Sequence, residues 1–223
     1  VLRGQMMFDT AMTWNDLMFM LRGAGVTLWI TAIAVAGGTA LGVVFGVIRS
    51  SLSPWVTWPL AFVLDVLRSV PLLIQLVLVN SFQAIAGWGW TPFTTSCVVL
   101  ALYTAALVTE VVRGAVMAVP ETTRRAARSL GMTWAQDQTQ IVFPMALRVG
   151  LPSWINVTLG VMKDSALVLW LGIIELLRAS QILVTRLQEP MFILLVAGAI
   201  YFAISFPVAR LGERLEKRWR END

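Results

Sequence analysis

The sequence predicts an all-α, polytopic membrane bundle of about five transmembrane helices in a single domain, residues 1–223. Three observations carry that prediction. Hydrophobic residues make up 57% of the chain and charged residues 13%, with a mean hydropathy of +0.75; soluble domains carry about 25% charged residues. Charge-poor apolar runs recur at about the 20-residue length that crosses a bilayer. Lys and Arg collect on alternate connections, the asymmetry that orients membrane proteins.

Residues 1–22 form an amphipathic lead-in, with Trp14, Leu17, Met18 and Leu21 at helical spacing. This pattern suits an interfacial helix, and it is no signal peptide. The first span, 23–48, carries a stripe of Gly37, Gly38, Gly42 and Gly46, the small-residue surface that lets helices approach closely in lipid. The second, 55–79, holds Asp65, Arg68 and Pro71. The charged pair can neutralise itself on one face, and Pro71 kinks the helix or marks its real start. A loop with Trp88 and Trp90 follows. The third span, 93–112, ends near Glu110 and Arg113. The fourth, 149–174, contains Asn156, Thr158, Lys163, Asp164 and Ser165. A polar connection over 175–189 leads to the fifth span, 191–209, and a basic tail.

Five spans place Arg49, the 113–148 segment and the C-terminal tail on one side, with most of the Lys and Arg. That predicts an outside N-terminus and an inside C-terminus. The net charge of +4 needs no nucleic-acid partner. There is no histidine, the commonest general base and metal ligand. The single cysteine, Cys97, cannot form a disulfide within the chain and reads as a small buried hydrophobe. The string from Gly160 to Ser165 lacks the glycines of a phosphate-binding loop. The expectation is a non-catalytic chain that binds no cofactor or metal.

The 119–144 segment is the longest polar interval. Pro120 and Glu121 suit a helix start, and Gly131 a stop. Arg124, Arg125 and Arg128 group on one side, with Ala126, Ala127 and Leu130 on the other. Thr133 and Gln136 have capping-box spacing for a second helix, expected to run until Pro144 disturbs it. Such an element either docks in a partner's groove or lies on the membrane surface.

Ala126-Ala127, three residues, Gly131, nine residues, Ile141 and then Pro144 resemble the EAA loop (E-A-A-x3-G-x9-I-x-L-P) of bacterial ABC-importer permeases. Arg125 replaces the glutamate and Phe143 the leucine; Glu121 is the carboxylate one turn earlier. Leu67 to Gln75 (LRSVPLLIQ) is similar to the F-R-G-T-P-L-L-x-Q segment of polar amino-acid permeases. Ala105 to Gly114, Val161 to Val168 and Glu175 to Ala179 resemble their A-A-Y-x-x-E-x-x-R-G, L-x-K-D-T/S-S-L-V and E-L-x-R-A motifs.

The resemblance implies a permease subunit of the bacterial inner membrane that moves a polar amino acid by alternating access. It implies a second permease subunit, a cytoplasmic ABC ATPase dimer carrying ATP and Mg, and an extracytoplasmic solute-binding protein. The ATPase contact would fall on Glu121, Arg124, Arg125, Ala126, Ala127, Arg128, Leu130 and Gly131.

For Asn156, Thr158, Lys163, Asp164 and Ser165, two readings stand: a substrate path, gated with Arg68 and Glu110, or a salt-bridge network, with Arg68 or Glu110 as partner, that fixes helix packing. Other functions compatible with an apolar bundle are an ion-coupled carrier using Lys163 and Asp164, disfavoured because no inverted repeat is visible; a permease for a peptide or metal; and an intramembrane enzyme, disfavoured by the missing histidine and the lack of a paired nucleophile.

Overall fold

The computed structural model describes residues 12–220, which form helices and short connections with no strand among them. Helix α1 (Trp14–Ser51) opens on a capping box, with the Thr13 N–H donating to the Asp16 carboxylate at 2.9 Å. The expected lead-in is therefore not a separate helix: from Trp14 onward it is the first part of α1, and residues 1–11 lie outside the described residues. The 38 residues rise about 57 Å, well beyond a hydrocarbon core of about 30 Å.

The second expected span is broken. Helices α2 (Pro54–Ser69) and α3 (Leu72–Ile85) meet at 107°. Proline at 71 cannot donate a backbone bond and drives the preceding residue out of helical geometry; Val70 is extended, at φ −81° and ψ 130°. The Gln75 side-chain amide donates to the carbonyls of Leu67 (2.7 Å) and Val70 (2.8 Å), which the break would leave without partners. Over its 16 residues α2 rises about 24 Å. Yet Arg68, near its end, reaches Glu110, which also binds Arg49 in the last turn of α1. Both ends of α2 thus lie near one end of the bundle, and the helix runs across it rather than along it.

Helix α4 (Pro92–Met117) is capped by the Thr91 hydroxyl, which accepts from the Thr94 N–H at 3.1 Å. It packs parallel to α1. A Cβ on Gly38, Gly42 or Gly46 would lie 2.4–2.6 Å from the Cβ of Thr104, Val108 or Val112 respectively. Each step is four residues on both helices, so the glycine stripe seats a matching ridge of α4.

Helix α5 (Glu121–Ser129) stops at Gly131, whose φ is +82°. The Met132 N–H bonds the Ala127 carbonyl and the Gly131 N–H that of Arg128, the two bonds of a Schellman close. Helix α6 (Trp134–Gln136) starts on the Thr133–Gln136 capping box. It does not end at Pro144. A π-helical turn, Asp137–Val142, leads straight into α7 (Phe143–Asp164). The register change to i→i+5 bonds, with the Phe143 N–H on the Gln138 carbonyl, accommodates a proline at 144 that has no N–H.

A 3₁₀ segment, Ser165–Leu171, ends at Gly172 with φ +84°. Where a polar connection was expected, α8 (Leu176–Leu187) forms, capped by the Glu175 carboxylate on the N–H groups of Leu177 (2.8 Å) and Arg178 (2.6 Å). Helix α9 (Pro190–Arg220) continues past the expected end at Ala209.

The largest core cluster joins Ile30, Ala34, Leu72, Leu76, Leu100, Val161 and Val168, and so ties α1, α3, α4, α7 and the 3₁₀ segment. A second, around Met20, Ala24, Leu176, Leu183, Ile193 and Ala197, seats α8 and α9 on the first half of α1. Among the described residues, four stretches are long and apolar enough to cross a membrane, five if α2 and α3 count as one broken span.

Candidate functional site

Three polar groups stand out from this apolar frame. The first is the loop around α5. Its residues divide differently from the sequence expectation. Glu121 and Arg125 pair at 2.8 Å on the exposed side, where both side chains are 72% accessible. The Arg125 guanidinium holds the Glu121 carboxyl below the usual carboxylate range, first through this hydrogen bond. Ala126 and Leu130 face outward with them, whereas Ala127 is buried. The two alanines therefore do not share a face: a step of one residue turns a helix by about 100°, enough to put one outside and one inside.

Arg124 turns inward with Ala127. Its Nε (3.3 Å) and an Nη (3.2 Å) both donate to one oxygen of Asp137, a carboxylate fully buried in the π turn. Arg128 approaches the same oxygen at 3.9 Å. The other Asp137 oxygen has no hydrogen-bond partner among the described residues. Two of the arginines read from sequence as docking charges thus brace the loop itself. Asp137 went unnoticed in the sequence, although it is the only acidic residue between Glu121 and Pro144.

The second group surrounds Glu110 at the same end of the bundle as α5. Its carboxylate binds Arg49 of α1, Arg113 of α4 (2.8 Å) and Arg68 of α2 (3.5 Å). Asp65 adds a looser contact to Arg68 at 3.7 Å. One carboxylate holds three helices together. Lys163 and Asp164 are not among these partners, so the network linking them to Arg68 and Glu110 does not form.

The third group lies on α7. Asn156 and Lys163 are seven residues apart, two turns, and both are exposed; Ser153 and Gly160 complete the stripe on that face. Asp164 is half-buried beside Lys163. The hydroxyls of Thr158 and Ser165 are spent on their own helix, donating to the carbonyls of Trp154 (3.0 Å) and Met162 (2.8 Å). The Trp154 indole N–H donates to the Thr39 hydroxyl at 2.9 Å and pins α7 to α1. Asn156, Lys163 and Asp164 are thus available to a ligand and Thr158 and Ser165 are engaged locally. A lysine at the middle of a span costs about 2.5–3.5 kcal/mol against lipid, so this face suits a water-filled path or another protein surface. Among the described residues no cluster of His, Cys, Asp or Glu could hold a metal ion.

Residues 38–221 match the family described as binding-protein-dependent transport system inner membrane component. The glutamine transport system permease protein GlnP of Escherichia coli (strain K12) is 28% identical over 96% of this chain and 99% of its own length. The octopine transport system permease protein OccM of Rhizobium radiobacter is 30% identical over 95% and 90%. A solved structure described as an amino acid ABC transporter with histidines superposes with a TM-score of 0.82 at 29% identity, covering 92% of this chain and 95% of that one. The MetNI methionine ABC transporter, at 18% identity and a TM-score of 0.75, shares the fold.

Proposed function

This chain belongs to the family of binding-protein-dependent transport system inner membrane components, and from that premise we propose that it is the permease subunit of an ATP-driven importer that carries a polar amino acid inward by alternating access. The relatives named for glutamine and octopine transport support an amino-acid substrate. The observation that carries a translocation role in this chain is the stripe on α7 formed by exposed Ser153, Asn156 and Lys163, with half-buried Gly160 between them. It is polar, it lies within a helix apolar enough to span the bilayer, and lipid is the wrong solvent for it. A second permease subunit facing that stripe would enclose a path between the two copies.

The energy comes from outside the chain. A cytoplasmic ABC ATPase dimer would hold ATP and Mg and receive the outward face of α5, namely Glu121, Thr122, Arg125, Ala126 and Leu130. An extracytoplasmic solute-binding protein would deliver substrate at the opposite end. This arrangement puts the α5 end and the C-terminus inside the cell, in line with the Lys and Arg bias of the sequence. The Glu110 cluster, at the same end, would hold the inner mouth of the path closed or shaped.

The test is reconstitution of the chain with its ATPase and binding protein in proteoliposomes, assayed with labelled amino acids. Uptake should require ATP and the ATPase subunit and survive collapse of the proton gradient. Uptake that persists without the ATPase, or that follows the proton gradient at constant ATP, rejects the proposal in favour of an ion-coupled carrier.

A further inference from the structure

We propose that Asp137 is the joint through which movement of α5 is passed to the substrate path, a positioning residue for transport rather than a ligand of substrate or ATPase. The inference rests on the function proposed above. Helix α5 is short and mostly exposed; apart from the backbone bonds at its two ends, the side-chain hydrogen bonds and ion pairs that leave it converge, among the described residues, on one atom, the Asp137 oxygen held by Arg124 and approached by Arg128. The other polar side-chain contacts of α5, Glu121 to Arg125 and Ser129 to Arg125, stay within the helix.

What lies beyond that atom gives the contact its consequence. Asp137 opens the π turn, and helix continues from there without a break to Asp164. The separation of Asp137 from Lys163 along this rod is about 40 Å, at the rise of an α-helix. A push on α5 therefore enters the rod at the first residue of its π-helical segment, and π turns are sites where a helix can shift register. The carboxylate is fully buried. Its attraction to Arg124 is little screened by solvent, and separating the two would leave a buried charge with only the looser Arg128, at 3.9 Å, beside it. The pair consequently moves as a unit, which is the property a transmitting contact needs. Glu121 and Arg125, both largely exposed, lack it.

The experiment uses the assembled transporter in proteoliposomes, with the permease as wild type, Asp137→Asn or Arg124→Lys. Three quantities are read together: the amount of assembled complex, ATP hydrolysed and substrate taken up. The expected result is complex and hydrolysis retained, with uptake per ATP reduced roughly 5- to 150-fold, the span of ordinary coupling between sites. A purely structural role would lower hydrolysis and uptake together, in proportion to complex, and that result overturns the inference. So does an unchanged ratio of uptake to ATP. If Asp137→Asn fails to assemble, Arg124→Lys decides, because it keeps the charge but loses the two-nitrogen grip. A wild-type transporter whose uptake is independent of the ATPase sinks the proposed function, and this inference with it; a coupled wild type with coupled variants sinks this inference alone.

Discussion

The hydroxyl of Tyr201 on α9 donates to the carboxyl of Glu175 at 3.2 Å, and that group is fully buried with no cation among its hydrogen-bond partners within the described residues. Thr27 of α1 shares the same oxygen at 3.4 Å. One side chain therefore caps α8 and ties it to two spanning helices. Tyr201→Phe should destabilise the protein by about 0.5–1.5 kcal/mol, as expected for the loss of one hydrogen bond. Glu175→Ala should cost more, because it also removes the cap. Thermal unfolding in detergent will rank the two; equal stability of Glu175→Ala and wild type would remove the hub from the account.

Gln75 closes the gap between α2 and α3. Gln75→Leu keeps the apolar bulk but strands the half-buried carbonyls of Leu67 and Val70, at about 1 kcal/mol for each, the low end of the penalty for a buried acceptor left unpaired. Amide exchange over residues 64–72 should accelerate while α4 stays protected. A variant with unchanged exchange would mean that proline geometry alone holds the bend.

At the Glu110 cluster, Glu110→Ala leaves three guanidinium groups facing one another. The site is partly open to solvent, so the loss should be about 2 kcal/mol, below the 3–5 kcal/mol of a fully buried pair. Removing Arg113 or Arg68 should cost less than removing the carboxylate. Denaturation midpoints of the single variants test that order, and an arginine variant weaker than Glu110→Ala contradicts it.

The two alanines of α5 should respond in different ways. Ala126→Glu, on the exposed side, should leave the permease folded and weaken its capture of the ATPase. Ala127→Glu places a charge at a buried position and should disorder the loop even in isolated permease, by several kcal/mol. Limited proteolysis of the loop, run beside a pull-down, separates the two; an Ala126 variant that binds the ATPase normally would move the docking face elsewhere.

Glu121 gives a pH dependence of known sign. Its carboxyl is held below the ordinary value of 4.5, chiefly by the hydrogen bond from Arg125. A depressed acid stabilises the folded form above its unfolded pKa, and that contribution is lost as pH falls through the folded value. Exchange protection of α5 should thus weaken below about pH 4.5 relative to Glu121→Gln, which should not show the change. High salt should shrink the difference, since the pair is exposed.

Much of the fold was legible because membrane burial is coarse. Long apolar runs announce α1, α4 and α9, and the stripe of Gly38, Gly42 and Gly46 marked the surface that α4 occupies. Gly131 and the Thr133–Gln136 pair read correctly because turn and cap chemistry is local. What stayed hidden depends on partners far apart in sequence. Glu175 reads as a loop carboxylate until Thr27 and Tyr201 arrive from other helices. The run over 175–189 looks like a polar connection because α8 buries only Leu176, Ala179, Ser180 and Leu183. Pro144 signals a helix end, and only the π turn before it explains why none occurs. Arg124 and Arg125, adjacent in sequence, face opposite ways once Asp137 is in place.

The notched seam between α1 and α4 sets what can move. Thr104, Val108 and Val112 each fill a groove left by a glycine, so sliding one helix along the other by a single residue would drive three side chains into backbone. The next free setting is a whole tooth away, about 6 Å of travel at the α-helical rise. The two helices therefore act as a fixed keel. Any reshaping of the passage has to come from α7, the 3₁₀ segment and the crosswise α2, swinging against a beam that does not yield.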